Sequence, residues 1–231
     1  MGVLDLSIVV PTLNEAANIG GVIRGIREQA EALGLRYEAF IVDGPSTDGT
    51  GREAEAAGAR VVEEHVGGFG RAVRRGLREA KGEFVLFMDA DRSHDAETFP
   101  EMWRRRQDAD LVIGSRLVEG GGMDIPYHRR LLTYILNGFF RLLFRLPVYD
   151  CSSGYRLYRR SAVGDIAGIA QGFDVQQENL IRIVRAGGRV AEVPIHYRWR
   201  REGESKAKIL KFGMGYLRLA ARYWRSGRSG A

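Results

Sequence analysis

The sequence predicts an α/β domain: a mainly parallel sheet with helices on both faces. Two observations carry this. Short apolar runs alternate with amphipathic stretches through the first half of the chain, as in successive βαβ units. Several of those runs also end in polar or acidic residues, where ligands bind in such sheets, beyond the carboxyl ends of the strands.

Taken in order, "LSIVVPT" (6–12) reads as a strand and "AANIGGVIRGIREQAEAL" (16–33) as an amphipathic helix. "YEAFIVDG" (37–44) is a strand, followed by a short helix over 48–57, the strand "RVVEE" (60–64) and the helix "FGRAVRRGLREAK" (69–81). The strand "FVLFMDA" (84–90), a helix near 96–106 and the strand "DLVIGSR" (110–116) complete this half. Pro11–Glu15, Asp43–Asp48 and Asp89–Asp91 then fall along one crevice. The second half differs. "GGGMDIPYHRR" (120–130) reads as a mobile loop, and "LLTYILNGFFRLLF" (131–144) as a very apolar helix. Thr133, Asn137, Arg141 and Arg145 recur every four residues and so share one stripe. "YDCSSGYRLYRR" (149–160) is a loop entering a strand, with a helix near 176–186 and a strand over 190–199 after it. A last helix, 205–225, places Lys208, Lys211, Arg218, Arg222 and Arg225 on one face. Ile209, Phe212, Tyr216, Leu219, Ala220 and Tyr223 take the other. The tail, 226–231, is expected to be disordered.

The 231 residues suffice for one domain with a full core. No apolar run reaches the ~18 residues of a membrane span, and the first residues carry neither a signal-peptide nor a myristoylation pattern. The single cysteine, Cys151, excludes an internal disulfide and suits a reducing compartment. The net charge of +6 points to an anionic partner.

Asp89 and Asp91 raise the central question. On a strand, residues two apart share a face, so two carboxylates would repel unless one is protonated or a cation lies between them. Hard cations such as Mg²⁺ or Mn²⁺ take one or two carboxylates and complete their shell with phosphate and water. A turn capped by acids is the plainer reading, and context decides. "GGFGRAVRRG" lacks the spacing and place of a dinucleotide fingerprint. His65, His94, His128 and His196 are scattered and read as surface or strand residues rather than zinc ligands. No histidine pattern accompanies Cys151 as a nucleophile. A nucleic-acid module would interleave exposed aromatics with base-rich segments, and only "HYRWRR" does so. A sugar nucleotidyltransferase would carry a glycine-rich basic loop after the first strand, where this chain has "PTLNE".

"VVPTLNEAANI", "VDGPSTDGT" (42–50), "GGFGRAVRRGLREAKGEFVLFMDAD" (67–91) and "GSR" (114–116) stand in the order and spacing of inverting family-2 glycosyltransferases. "DCSSGYRLYRR", "FDVQQE" (173–178), "EVPIHY" (192–197) and "RREGESK" (200–206) resemble the branch that makes polyprenyl-phosphate sugars, which includes dolichyl-phosphate mannose synthase. The resemblance spans residues 6–210 and implies a glycosyltransferase-A fold. It implies a catalytic domain over 1–205, with an interfacial segment at 128–146, then a basic helix over 206–225.

It also implies that Pro11, Leu13, Glu15, Asp43, Gly70, Asp89, Ala90 and Asp91 bind the nucleotide-sugar donor, and that Asp89 and Asp91 hold Mg²⁺ or Mn²⁺. Arg116, Arg129, Arg130, Arg200, Ser205 and Lys206 would surround the acceptor phosphate, with Arg116 and Arg200 catalytic beside the acids. The implied activity is transfer of a hexose, with inversion, from GDP-mannose or alternatively UDP-glucose to a polyprenyl or dolichyl phosphate. A hydroxyl acceptor in polysaccharide synthesis is a further alternative. The implied place is the cytoplasmic face of a membrane, on anionic lipid, and a membrane-anchor subunit stays open as a partner. Two departures stand out: Gly44-Pro45 replaces the family's second Asp and Gly, and after the acids Arg92 replaces the usual apolar residue while Ser93, a weak ligand, stands at the family's third metal contact. His94 or Asp95 could compensate for a weak Ser93 contact.

Overall fold

The computed structural model describes residues 4–164, 168, 170–198 and 209–226. In chain order these form β1 (Leu6–Thr12), α1 (Ala16–Ala32), β2 (Tyr37–Asp43), α2 (Thr50–Ala56), β3 (Arg60–Glu63), α3 (Phe69–Glu79) and β4 (Phe84–Phe87). A single 3₁₀ turn (Ala96–Thr98) leads into α4 (Phe99–Arg105), then β5 (Leu111–Ser115), β6 (Gly122–Asp124) and α5 (Tyr127–Phe144). β7 (Arg156–Arg159), α6 (Arg160–Val163), α7 (Val175–Arg185), β8 (Val190–Pro194), β9 (His196–Arg198) and α8 (Ile209–Ser226) follow.

The main sheet runs β3-β2-β1-β4-β7-β5-β8, and every strand is parallel to its neighbours except β7. Alternation divides the core. Ile8, Val10, Ile41, Leu86 and Val112 face α1 and α4, where Ile19, Ile23, Ile26, Phe99 and Met102 are fully buried. Val9, Phe40, Val42, Val85, Phe87 and Ile113 face the other side, against Val73 and Leu77 of α3, Leu180 and Ile181 of α7, and Phe140 of α5. Because β7 is antiparallel, its amino end lies at the same edge as the carboxyl ends of β1, β2, β4, β5 and β8. The carboxyl end of β3, parallel to β2, lies there too, so one edge of the sheet is lined by ends of all seven strands.

Three expectations need correction. The strand holding the acids stops at Phe87, because Arg156, the first residue of β7, pairs with Phe87 and no ladder partner lies beyond. Asp89 and Asp91 therefore stand on a turn, and the same-face argument does not apply to them. The glycine-rich segment 120–130 is not simply a mobile loop: it contains β6, which pairs with β9, and the first turn of α5. The strand expected over 190–199 breaks at Ile195, whose amide donates to Ser115 O while its carbonyl accepts from Gly122. β8 stays in the main sheet and β9 crosses to β6.

α8 packs onto the domain. Leu219 and Ala220 are buried, Tyr216 meets Phe140 edge-on at 5.9 Å, and the Tyr223 hydroxyl donates to Glu178 Oε1 at 3.0 Å. Arg200, Ser205, Lys206, Lys208 and the tail, for which the sequence sets expectations, lie outside the described residues, as do the side chains of Ile209, Lys211 and Phe212.

Candidate active site

One half of the edge is a ledge built by two loops. Thr12 pairs with Asp43 across β1 and β2, and the Thr12 hydroxyl donates to Asp43 Oδ1 at 2.8 Å, as the Ser46 hydroxyl does at 2.7 Å. Beyond them the loops exchange bonds in both directions. Asn14 N donates to Ser46 Oγ, Thr47 N to Asn14 Oδ1, Glu15 N to Thr50 Oγ1 and Ala16 N to Asp48 Oδ2. Burial opposes the charge on Asp48, but the bonds it receives from Thr50 and Ala16 outweigh burial and hold its carboxyl below the ordinary value. These bonds fix the loop carrying Leu13 and Glu15 against the one that follows Asp43, with Leu13 exposed and Asp43 buried, while Pro11 pairs with Val42 inside the sheet. A Cβ at Gly44 would come 3.2 Å from Leu13 Cδ1, so the departure from the family pattern here keeps Leu13 unpressed.

The other half holds the acids. Asp91 Oδ1 accepts from both the amide and the hydroxyl of Ser93. Ser93, expected as a weak metal contact, instead fixes Asp91. His94 Nε2 lies 3.1 Å from Asp89 Oδ2, so this histidine is a buried part of the site and not the surface or strand residue expected. Arg92 has a left-handed backbone (φ 58), and its guanidinium covers Gly21 of α1, where a Cβ would come within 2.3 Å of Nη2. Ala90 is buried between the acids. A Cβ at Gly154 would stand 2.9 Å from Asp89 Oδ1, which explains a glycine there. Tyr197 bonds Ser93, and burial together with the charges of Asp91 and Asp89 pushes its phenol up to about 12.

Arg116 closes this half. Its Nε and Nη2 donate to the two oxygens of the buried Asp150, at 2.7 and 2.8 Å, and Nη2 also donates to Ser152 Oγ at 2.7 Å. Its guanidinium lies 5.6 Å from the Tyr197 ring centroid. Ser152 in turn accepts from Asn137 Nδ2 of α5, at 3.1 Å, and Asn137 Oδ1 accepts from Cys151 N. The stripe residue Asn137 therefore faces the domain, whereas the half-buried Thr133 bonds Arg129 O within the helix and Arg141 stacks on Tyr149 at 4.0 Å. Arg129 and Arg130 occupy the first turn of α5, half-buried and exposed respectively. Gly70 has a packing reason: its amide donates to Gln171 O, and a Cβ there would come 2.6 Å from Ala170 O. Cys151 is fully buried, and burial pushes its thiol up to about 12.

Asp150, Ser152, Gly154, Asn137 and Tyr197 carry the site's geometry and were not among the expected site residues, and His94, considered only as a third metal contact, instead bonds Asp89. For Asp150, Ser152, Gly154 and Tyr197 the motifs "DCSSGYR" and "EVPIHY" were singled out, but without roles, and Asn137 showed only as part of a helical stripe. Among the described residues no three His, Cys, Asp or Glu side chains cluster as a metal cage. Two carboxylates, each steadied by a neighbouring donor, fit a hard divalent cation whose other ligands come from a diphosphate and water.

A ledge of hydrogen-bonded loops and two acids thus lie at the carboxyl edge of one sheet, where ligands bind in open α/β folds. The chain belongs to glycosyl transferase family 2, whose pattern matches residues 7–167, and it is a glycosyltransferase. It is 33% identical to the undecaprenyl-phosphate mannosyltransferase of Micrococcus luteus, over 86% of this chain and 85% of that protein. It is 31% identical to the dolichol-phosphate mannosyltransferase of Pyrococcus furiosus, over 89% of this chain and 60% of that protein. These relatives bear out the branch read from the motifs. Among solved structures, the glucosyl-3-phosphoglycerate synthase of Mycobacterium tuberculosis with Mn²⁺, uridine diphosphate and phosphoglyceric acid superposes with a TM-score of 0.71. It is 25% identical and covers 98% of this chain and 79% of that one, in keeping with the glycosyltransferase-A fold.

Proposed function

We propose that this glycosyltransferase moves a hexose, with inversion, from a nucleotide sugar to a polyprenyl phosphate at the cytoplasmic face of a membrane. The observation that carries the reading is the juxtaposition of Asp89 and Asp91 with Arg116 at the edge where the β1 and β2 loops form a ledge. The names of the mannosyltransferase relatives support mannose and a polyprenyl-phosphate acceptor, and GDP-mannose is the favoured donor. A uridine diphosphate sugar is the second reading, favoured by the nucleotide in the solved neighbour.

Mg²⁺ or Mn²⁺ held by Asp89 and Asp91 would supply Lewis-acid charge to the leaving diphosphate. The protein's own part is to place anions. Pro11, Leu13, Glu15 and Asp43 line the ledge for the nucleoside. A phosphate monoester has its second pKa at about 6 and is already nucleophilic at pH 7, so no general base is required. Cations are required instead. Arg116 spends Nε and Nη2 on Asp150 and Ser152, and no described residue accepts from its Nη1, so that nitrogen is the one it offers to an anion. Arg129 and Arg130, with Arg200, Ser205 and Lys206 by resemblance, complete the acceptor set.

No helix among the described residues is long and apolar enough to cross a membrane. α5 nevertheless turns Leu131, Leu132, Tyr134, Ile135, Phe139 and Leu142 outward, Leu142 at 81% exposure. α8 adds Met214, Leu217 and Trp224. Burial of such side chains is worth about 1.5–3 kcal/mol each, which supports a docked position on lipid.

The test is sugar transfer from GDP-mannose and from UDP-glucose to undecaprenyl and dolichyl phosphate, with Mn²⁺ and with chelator. Metal-dependent transfer from one donor names the nucleotide. Transfer to neither lipid rejects the acceptor class.

A further inference from the structure

The His94 side chain is 1% exposed, yet it is a poor choice for filling a core. Its Nδ1 is buried and finds no hydrogen-bond partner among the described residues. A buried, unsatisfied polar atom costs about 1–3 kcal/mol, and a phenylalanine would fill the slot without that cost. The ring is held on two sides. It stacks on Tyr155 at 5.2 Å with an interplanar angle of 27°, and it meets Tyr197 edge-on at 5.6 Å. What a histidine adds in this slot is Nε2, 3.1 Å from Asp89 Oδ2. Gly154 meanwhile lies so close that a Cβ would come within 2.9 and 3.2 Å of the two Asp89 oxygens. The carboxylate is therefore confined by a fixed donor and by a backbone wall, and the Asp89 side chain keeps 27% of its surface exposed.

We propose that His94 is a positioning residue, a rigid donor that sets the direction in which Asp89 presents its carboxylate to a divalent cation. The inference rests on the reading of Asp89 and Asp91 as the metal-holding pair. It gives His94 a place beneath the ligand, not a place as a ligand: its Nε2 is engaged with Asp89. Groups that hold a metal's ligands in this way typically govern affinity by about 10–100-fold.

The experiment is a titration of the full chain with Mn²⁺, in the presence of UDP and separately of GDP, following free Mn²⁺ by electron paramagnetic resonance. The variants are His94→Phe, which keeps the aromatic packing and removes the donor, His94→Gln, which restores an amide donor, and Asp91→Asn. Weakening of Mn²⁺ binding by 10-fold or more in His94→Phe, with most of it recovered in His94→Gln, is the expected result. Wild-type Mn²⁺ affinity in His94→Phe overturns the proposal, as does equal weakening in the Phe and Gln variants with equal loss of Tm, which would mark a packing role. If His94→Phe fails to fold, His94→Gln decides: affinity within about 3-fold of wild type supports a donor role, and a 10-fold loss overturns it. Asp91→Asn separates the two levels. Unchanged Mn²⁺ binding in that variant overturns the metal reading itself, whereas weakened binding there beside normal binding in His94→Phe overturns only the role of His94.

Discussion

Arg116 and Asp150 meet as a two-pronged pair, Nε to Oδ2 at 2.7 Å and Nη2 to Oδ1 at 2.8 Å, with the Arg116 amide donating to the same Oδ2 at 3.1 Å. Asp150 is fully buried and also accepts from the amides of Ser152 and Ser153. Burial opposes both charges, but each partner more than offsets it for the other. The Asp150 carboxyl falls to about 2, and the Arg116 guanidinium is held above its ordinary value. The pair fixes Arg116, whose side chain is only 12% exposed, so its loss is felt in stability and in chemistry together.

Removing one partner of such a buried pair leaves an uncompensated charge and costs about 3–5 kcal/mol. Asp150→Asn is therefore expected to lower the urea midpoint sharply and to reduce turnover at least tenfold. Equal urea midpoints for the variant and the wild type would show that the pair does not hold in solution.

The same pair sets a pH dependence. The folded-state pKa of Asp150 lies below its ordinary value of 3.8, so its contribution is whole above about pH 4 and is lost as the pH falls through about 2. The depression corresponds to about 2 kcal/mol. Unfolding free energies measured by urea from pH 5 downward should fall in the wild type over that window and fall less steeply in Asp150→Asn. Parallel curves would exclude Asp150 as the titrating group.

How much of this was legible in the sequence depends on which physics set each feature. Strand and helix periodicity is local, so the order of elements and the crevice at the strand ends could be read from it. The loss of ladder partners after Phe87 and the crossing of β9 to β6 depend on residues far apart in the chain, Arg156 and Gly122, and no local pattern shows them. The acids themselves were readable as strong chemistry in an apolar context. Their supports were not: a buried His94, a Gly154 against a carboxylate and an Asn137 turned inward each look ordinary until the fold brings them together. Asn137 is the clearest instance. Its four-residue spacing with Thr133, Arg141 and Arg145 places it in a polar stripe, and only the structure shows which way that stripe faces.

Gly154→Ala tests the wall beside Asp89. A Cβ would lie 2.9 Å from Asp89 Oδ1, and the carboxylate is the part able to shift. Turnover should fall about 10–100-fold through misplacement of a reacting group, while Tm changes by only a few degrees. Full activity in the variant would mean that Asp89 need not stand where the structure places it.

Tyr223→Phe tests the seating of α8. Its hydroxyl donates to the buried Glu178, whose other oxygen accepts from Ala170 N at 2.9 Å. Loss of a hydrogen bond to a charged group costs about 1.5–3 kcal/mol. Differential scanning calorimetry should show a lower Tm, and an unchanged Tm would argue that α8 leaves the domain in solution.

The outward face of α5 makes the last prediction. Ile135 and Leu142 are exposed at 58% and 81%, so glutamates at these two positions replace no core contact, and stability should stay within about 0.5 kcal/mol per site. On a bilayer the same side chains would enter the interface, each worth about 1.5–3 kcal/mol, and a buried or lipid-facing carboxylate adds repulsion from anionic headgroups. Sedimentation with vesicles containing anionic phospholipid should therefore fall at least tenfold for Ile135→Glu with Leu142→Glu, and salt should weaken what binding remains. Because the substitutions lie on the opposite face of the helix from Asn137, Mn²⁺ binding should be untouched. Vesicle binding equal to wild type would leave α5 as an exposed apolar helix without a role at lipid, and would move the search for the membrane contact to Met214, Leu217 and Trp224 of α8.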